Sequence, residues 1–264
     1  MRRLVVEEPI FLAKAVAKIA IFAFWTTLIS IVILRFGLVE APYGLAALAA
    51  SLGLALLAII VAILAFGRIW RTGDPGTGRA TAGFLLALAL LAPPISFLAR
   101  DIGTPAINDV STDLVSPPRF TMAAGLRGLG TNATDYDPAN AAIQREVYPA
   151  IQPVLLELPP EDTFRLILRL AKERHWTVLV QLPFIMPAEG ERAGNRNPVG
   201  RIEATDRSLL LGLTDDVSIR IRDDGGRTRV DMRSASRYGE RDQGVNAARV
   251  SEFMEALRVN ALIR

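Results

Sequence analysis

The chain has 264 residues, 51% of them apolar and 22% charged, with a formal net charge of +3 and no cysteine. The lack of cysteine excludes disulfides, thiol nucleophiles, iron–sulfur clusters and cysteine-ligated zinc. Nine basic and four acidic side chains precede Asp101, against 21 basic and 23 acidic from there on. The basic excess therefore lies in the apolar first hundred residues, and the remainder offers no basic stripe for nucleic acid.

Residues 1–100 read as a membrane anchor. Ile19–Leu34 is free of charge and reaches spanning length if the helix begins near Val16, with Lys18 at the interface. Leu45–Phe66 and Ala80–Leu98 are also uncharged, and Pro93-Pro94 sets a candidate kink near the end of the latter. A hydrocarbon core of about 30 Å takes roughly 20 apolar residues of helix, so spans are expected over about 16–35, 45–66 and 80–98. The first lacks a small-x-small cleavage site and reads as an uncleaved anchor. Arg2, Arg3, Lys14 and Lys18 share a side with Arg68, Arg71 and Arg79, against Arg35 and Arg100 on the other. The positive-inside rule then places the N-terminus in the cytoplasm and the C-terminal domain outside, in the periplasm if the membrane is a bacterial inner membrane. No span carries an ionisable residue well inside, so no ion or proton path is indicated.

From residue 101 the composition changes. Residues 101–147 are rich in Pro, Gly, Ser, Thr and Asp and read as a linker and irregular segment, with a short helix at Ala139–Val147. Residues 148–264 read as the ordered α+β domain. Val154–Leu158 predicts a strand. The next segment predicts a helix with Phe164, Ile167, Leu168 and Ala171 on one face, Glu161 and Asp162 at its start and Lys172, Arg174 and His175 at its end. Strands follow at Trp176–Leu182, Gly200–Thr205, Ser208–Leu213, Asp216–Arg222 and Arg229–Arg237, and a long irregular connection at 183–198 separates the first two of these. Asn246–Leu257 closes the chain as a helix, capped by Asp242 or Asn246. The expected fold is a three-helix transmembrane region followed by a mostly antiparallel sheet gripped by two helices on one face.

The polar hairpin carries the candidate site. Val217, Ile219, Ile221, Val230 and Met232 alternate onto one face, while Asp216, Arg220, Asp231, Arg233 and Arg237 alternate onto the other. With Asp224-Gly225 as the turn, Asp216 faces Arg233; with Gly225-Gly226, Arg220 faces Asp231. Either arrangement makes a salt-bridged sheet face. The functional alternative is that Arg220, Arg233, Ser234, Ser236, Arg237, Asp242, Asn246 and Arg249 form an anion site beside a helix N-terminus, with Asp109, Asp113, Asp216 and Asp231 as acidic partners. Asp242 and Glu240 would compete with an anion there.

Six stretches resemble a known family: I-N-D-V-S-T-D at Ile107–Asp113, P-P-R-F at Pro117–Phe120, Y-P-A-I-Q-P at Tyr148–Pro153, R-I-E-A-T at Arg201–Thr205, D-D-V-S-I-R at Asp215–Arg220 and R-S-A-S-R-Y-G-E-R-D-Q-G-V-N-A-A-R at Arg233–Arg249. They are similar to domain of unknown function 1499, found in uncharacterised bacterial membrane-associated proteins. The resemblance runs from about Ile107 to Leu257 and implies no known activity. It does imply that Asp109, Asp113, Asp216, Arg220, Arg233, Ser234, Ser236, Arg237, Asp242, Asn246 and Arg249 are motif positions, and that Asn108–Asp113 folds back onto the domain.

The sequence favours a non-catalytic binding or assembly module of the cell envelope, taking a lipid, an anionic ligand or a partner protein. No catalytic residue, metal ligand or cofactor is indicated. The competing reading is a periplasmic, hydrolase-like enzyme working through carboxylates and arginines of the outward domain. His175, the lone histidine, reads as a helix-terminal cation.

Overall fold

The computed structural model describes residues 9–183 and 199–263. The connection 184–198, within the expected irregular stretch, lies outside the described residues, as do Arg2 and Arg3. The chain divides into two compact units, one built on the three N-terminal helices and the other on residues 103–208 and 213–264.

In the first unit the apolar runs form α1 (Phe11–Phe36), α2 (Ala41–Thr72) and α3 (Thr77–Asp101). All three are long and apolar enough to cross a membrane. Their buried faces are made of small residues: Ala13, Ala20 and Ala23 on α1, Ala55, Ala58, Ala62 and Ala65 on α2, Ala80, Gly83 and Ala87 on α3. Large side chains such as Phe22, Trp25, Ile60 and Ile63 point outward. This sorting is what a lipid solvent demands, because backbones gain dispersion contact by approaching over small residues while bulky apolar groups lose nothing by facing acyl chains. At Gly83 a Cβ would fall 2.7 Å from Val16 Cγ1, so α1 and α3 meet there over a bare backbone. A buried hydrogen bond from Thr27 Oγ1 to Ser51 Oγ (2.9 Å) joins α1 to α2. The helix α3 runs on through Pro93 and Pro94.

The second unit is an α+β domain with a six-stranded antiparallel sheet. Its strands are β1 (Asp109–Ser111), β2 (Val154–Leu156), β3 (Thr177–Leu182), β4 (Val199–Arg207), β5 (Thr214–Asp224) and β6 (Arg227–Ser236). The order is β1-β6-β5-β4-β3, and β2 pairs with the same edge of β6 as β1 does, further along the strand. Its helices are the single turn α4 (Met122–Gly125), α5 (Pro138–Val147), α6 (Pro160–Glu173) and α7 (Val245–Leu262). Asp109–Ser111 is thus a strand inside a segment whose composition reads as linker. It pairs with β6 residues 233–235, as the family resemblance implied for Asn108–Asp113.

Ser208–Leu213, expected as a strand, is instead the turn from β4 to β5. Its leucines are consecutive, not alternating, so no single face could bury them. Leu209 and Leu210 are exposed, and the turn is closed by Ser208 N–H on the Leu213 carbonyl and Leu213 N–H on Ser208 Oγ.

Alternation along β4, β5 and β6 builds the core. Ile202, Ala204, Val217, Ile219, Ile221, Val230 and Met232 share one face and pack against α6 and α7 through Leu166, Ile167, Leu170, Val250, Phe253 and Leu257. Trp176 stacks on Phe253 at 4.9 Å. His175, exposed, takes the left-handed position (φ 57) that closes α6. The opposite sheet face is overlaid by the chain around Phe120, Ala123 and α4, which meet Ala235. Gly225 and Gly226, at φ 65 and 92, form the hairpin tip between paired Asp224 and Arg227. Two consecutive positive φ values match a two-residue type I′ turn, and this register sets Arg220 opposite Asp231.

Candidate anion-binding site

Strand periodicity separates the candidate residues into two groups. On β6, Asp231 and Arg233 project to the overlaid face, while Ser234 and Ser236 project toward α7. The arginines of this strand and its serines therefore do not converge on one ligand.

On the helix side, Asn246 accepts from Ser234 Oγ (2.6 Å) and donates to Ser236 Oγ (2.9 Å) and to the Asn108 carbonyl (3.0 Å). Arg249 donates to Asn246 Oδ1, Ser234 Oγ, Asp206 and Asp215. Asp242 accepts from the N–H groups of Gly244 and Asn246 (2.9 and 2.7 Å), so a carboxylate already occupies the N-terminus of α7. Burial pushes the Asp215 carboxyl above its ordinary value, opposed by the charge of Arg249. This group ties α7 to the sheet and to Asn108 beside β1.

The other face holds three ionic sets. Asp109 grips Arg233 through Nη2 (2.6 Å) and Nε (2.9 Å). The remaining guanidinium N–H groups reach the Pro118 and Thr134 carbonyls (3.3 and 2.9 Å), and Phe120 and Tyr136 flank its plane. Arg233 is only 2% exposed. Burial raises the Asp109 carboxyl against the opposing hydrogen bond and charge of Arg233, and pushes the Tyr136 hydroxyl up to about 12. Asp216 accepts from Arg237 (2.7 and 3.0 Å) and from Arg127 (2.8 Å). Asp231 and Asp113 are shared by Arg220, Arg222 and Arg229. Partial burial draws the Asp113 carboxyl upward, but the N–H groups of Ser116 and Val115 and the charges of Arg220 and Arg229 outweigh it and hold it below the ordinary value.

Three arginines on two carboxylates leave a surplus of positive charge, and the surplus continues into a cavity of about 180 Å³ lined by Ser116, Pro117, Pro118, Arg119, Arg201 and Arg220. Among the described residues, three cations and no carboxylate line it. Arg201 lies directly opposite Arg220 in the β4–β5 register, a like-charge pairing that is unfavourable unless offset. Its nearest acid, Glu203, takes the N–H groups of Thr121 and Ala123 and the Thr121 hydroxyl instead. That leaves Glu203 3.7 Å from Arg201 Nε, which has no hydrogen-bond partner among the described residues. Sequence reading alone places Arg220 among the candidates but misses Arg119 and Arg201. Arg201 lies at the start of β4, far in sequence from the hairpin, and only sheet register brings it opposite Arg220. It also misses Arg127 and Glu203, whose roles depend on the overlaid segment. Among the described residues no group of three or more His, Asp or Glu side chains is placed to hold a metal ion.

Fold and site together define a chain with three helices able to span a membrane and an α+β domain whose sheet buries paired charges on one face. The family described as "Protein of unknown function (DUF1499)" matches residues 109–257, and the chain belongs to that family. No curated protein and no solved structure matches the chain.

Truncating Arg233 to Ala strands Asp109 in the interior, which costs about 3–5 kcal/mol when one partner of a buried pair is removed. Hydrogen exchange of the β1 amides in the full chain is expected to show that loss, and the Asp109→Leu/Arg233→Met double variant to recover part of it. A second expectation concerns acid. A carboxyl held below its ordinary value contributes stability that is complete above the unfolded value of 3.8 and disappears as pH falls through the folded one. The melting temperature of Asp113→Asn should therefore change less than that of the native chain as pH is lowered from 5 toward ~3.

Proposed function

We propose that the chain is a multi-pass protein of the bacterial inner membrane with its N-terminus in the cytoplasm and its α+β domain in the periplasm, and that the domain is a non-catalytic module binding an anionic ligand. The orientation rests on the seven basic residues that flank the first and second spans on one side. The binding reading rests on the cavity in which Arg119, Arg201 and Arg220 meet without a lining carboxylate among the described residues. An anion would relieve the Arg201–Arg220 repulsion. A lipid headgroup or an acidic segment of an envelope protein could present it.

The hydrolase-like alternative needs a carboxylate free to act as base or nucleophile. Asp109, Asp113, Asp216 and Asp231 are each clasped by at least one arginine, and those hydrogen bonds spend the lone pairs that chemistry would use.

The native chain has no cysteine, so single replacements report topology. In intact spheroplasts a membrane-impermeant maleimide should label Arg258→Cys on the exposed side of α7, and should label Gly78→Cys only after permeabilisation; the reverse pattern would overturn the orientation. Native mass spectrometry of the full chain, extracted gently from its membrane, should show a bound anionic adduct that the Arg119→Ala/Arg201→Ala variant loses. A bare native chain, or an adduct kept equally by the variant, would remove the anion reading.

A further inference from the structure

We infer that the group held by the cavity is a phosphate monoester, with Arg119, Arg201 and Arg220 as its ligands; this deepens the anion-binding reading and depends on it. Donor supply decides the class. A single guanidinium fork satisfies the two oxygens of a carboxylate, whereas the N–H groups left over on three guanidinium groups around one cavity are more than a carboxylate can accept. Arg220 spends Nε and Nη2 on Asp231 and Asp113, and its Nη1 makes no hydrogen bond among the described residues. Arg201 contributes a guanidinium whose Nε is buried without a partner. Arg119 is exposed at the rim, and Ser116 adds a hydroxyl to the wall. A phosphate monoester brings three terminal oxygens and one to two negative charges, matching both the number of donors and the local charge surplus.

The walls are held in place before any ligand arrives. The Pro118 carbonyl accepts from Arg233, and the Arg119 carbonyl accepts from Ser218 Oγ (2.9 Å). The Pro117-Pro118 pair restricts the backbone further. A preformed site avoids the ordering cost that long arginine side chains and a loose loop would otherwise impose. Size also discriminates. About 180 Å³ is less than the roughly 300 Å³ at which pockets begin to enclose whole small molecules, so the cavity takes a headgroup and leaves the ester substituent outside. Such a phosphate could come from a phospholipid or from a soluble ester.

The test uses the full chain in dodecyl maltoside, a phosphate-free detergent, titrated by calorimetry with inorganic phosphate, acetate and dioctanoyl phosphatidate. Phosphate and phosphatidate should bind, with acetate at least about tenfold weaker. Arg201→Lys keeps the charge but loses the fork, and should weaken phosphate binding about tenfold. Arg119→Gln, at an exposed position, should do the same without moving the melting temperature of the unliganded chain, so its effect is separable from misfolding. Phosphatidate binding more than tenfold tighter than inorganic phosphate identifies a lipid source, and equal affinities identify a soluble one; either supports the assignment. Acetate binding as well as phosphate would overturn the phosphate assignment and leave the anion-binding reading standing. Binding of neither would overturn both, and phosphate binding unaffected by Arg119→Gln and Arg201→Lys would take the ligand away from this cavity.

Discussion

The domain depends on burying the Asp109–Arg233 pair without leaving either charge alone. Arg233 sits near the C-terminal end of β6, on the face turned away from the two long helices, and is almost wholly enclosed. A guanidinium in such a place is tolerable only if its charge is matched and its N–H groups are taken up. The matching carboxylate comes from β1 and the carbonyls from Pro118 and Thr134. One ion pair thereby commits three stretches of an otherwise irregular segment to the sheet: the strand at Asp109–Ser111, the diproline turn and the chain near Thr134.

The same requirement repeats along that face. Asp216 collects Arg127 from the overlaid segment and Arg237 from beyond β6, while Glu203 collects the backbone of Thr121 and Ala123. Asp216 and Glu203 thus each recruit a piece of the covering chain, which is held in part by the charges it hides. Such pairs add little net stability compared with apolar packing. Their geometry is directional, however, and selects one arrangement of the covering layer. Gln144 extends this logic to the sheet edge, where its amide takes both the N–H and the carbonyl of Ser111 as another strand would, which blunts an edge that could pair with other chains.

Where the acids run short, the cavity opens. Arg220, Arg222 and Arg229 share two carboxylates, and Arg201 faces Arg220 while Glu203 is turned to α4. Elsewhere on this face buried arginines have acidic partners close by, so the shortage at Arg201 and Arg119 is local. The three-helix unit follows a different rule: its helices meet by close backbone approach and turn their large apolar side chains outward, as suits an apolar solvent. Alanine and glycine line its contacts for that reason.

Local periodicity is enough to determine the three long apolar helices, α6, α7 and the two-faced β5–β6 hairpin, because hydropathy over about 20 residues, a 3.6-residue repeat and strict alternation are properties of neighbouring residues. Sorting Asp216, Arg220, Asp231 and Arg233 onto one face needed nothing more than alternation. The hairpin register needed a choice between two turns, which the paired positive φ values at Gly225 and Gly226 decide. Tertiary structure alone decided the rest. Asp109–Ser111 is too short and too polar to announce itself as a strand, and becomes one because β6 offers an edge and Arg233 a counter-charge. The leucines of Ser208–Leu213 promise a strand by composition, but lacking alternation they form a turn. The meeting of Arg119 with Arg201 and Arg220 joins segments about eighty to a hundred positions apart, and no local pattern encodes which of these arginines hydrogen-bonds a carboxylate.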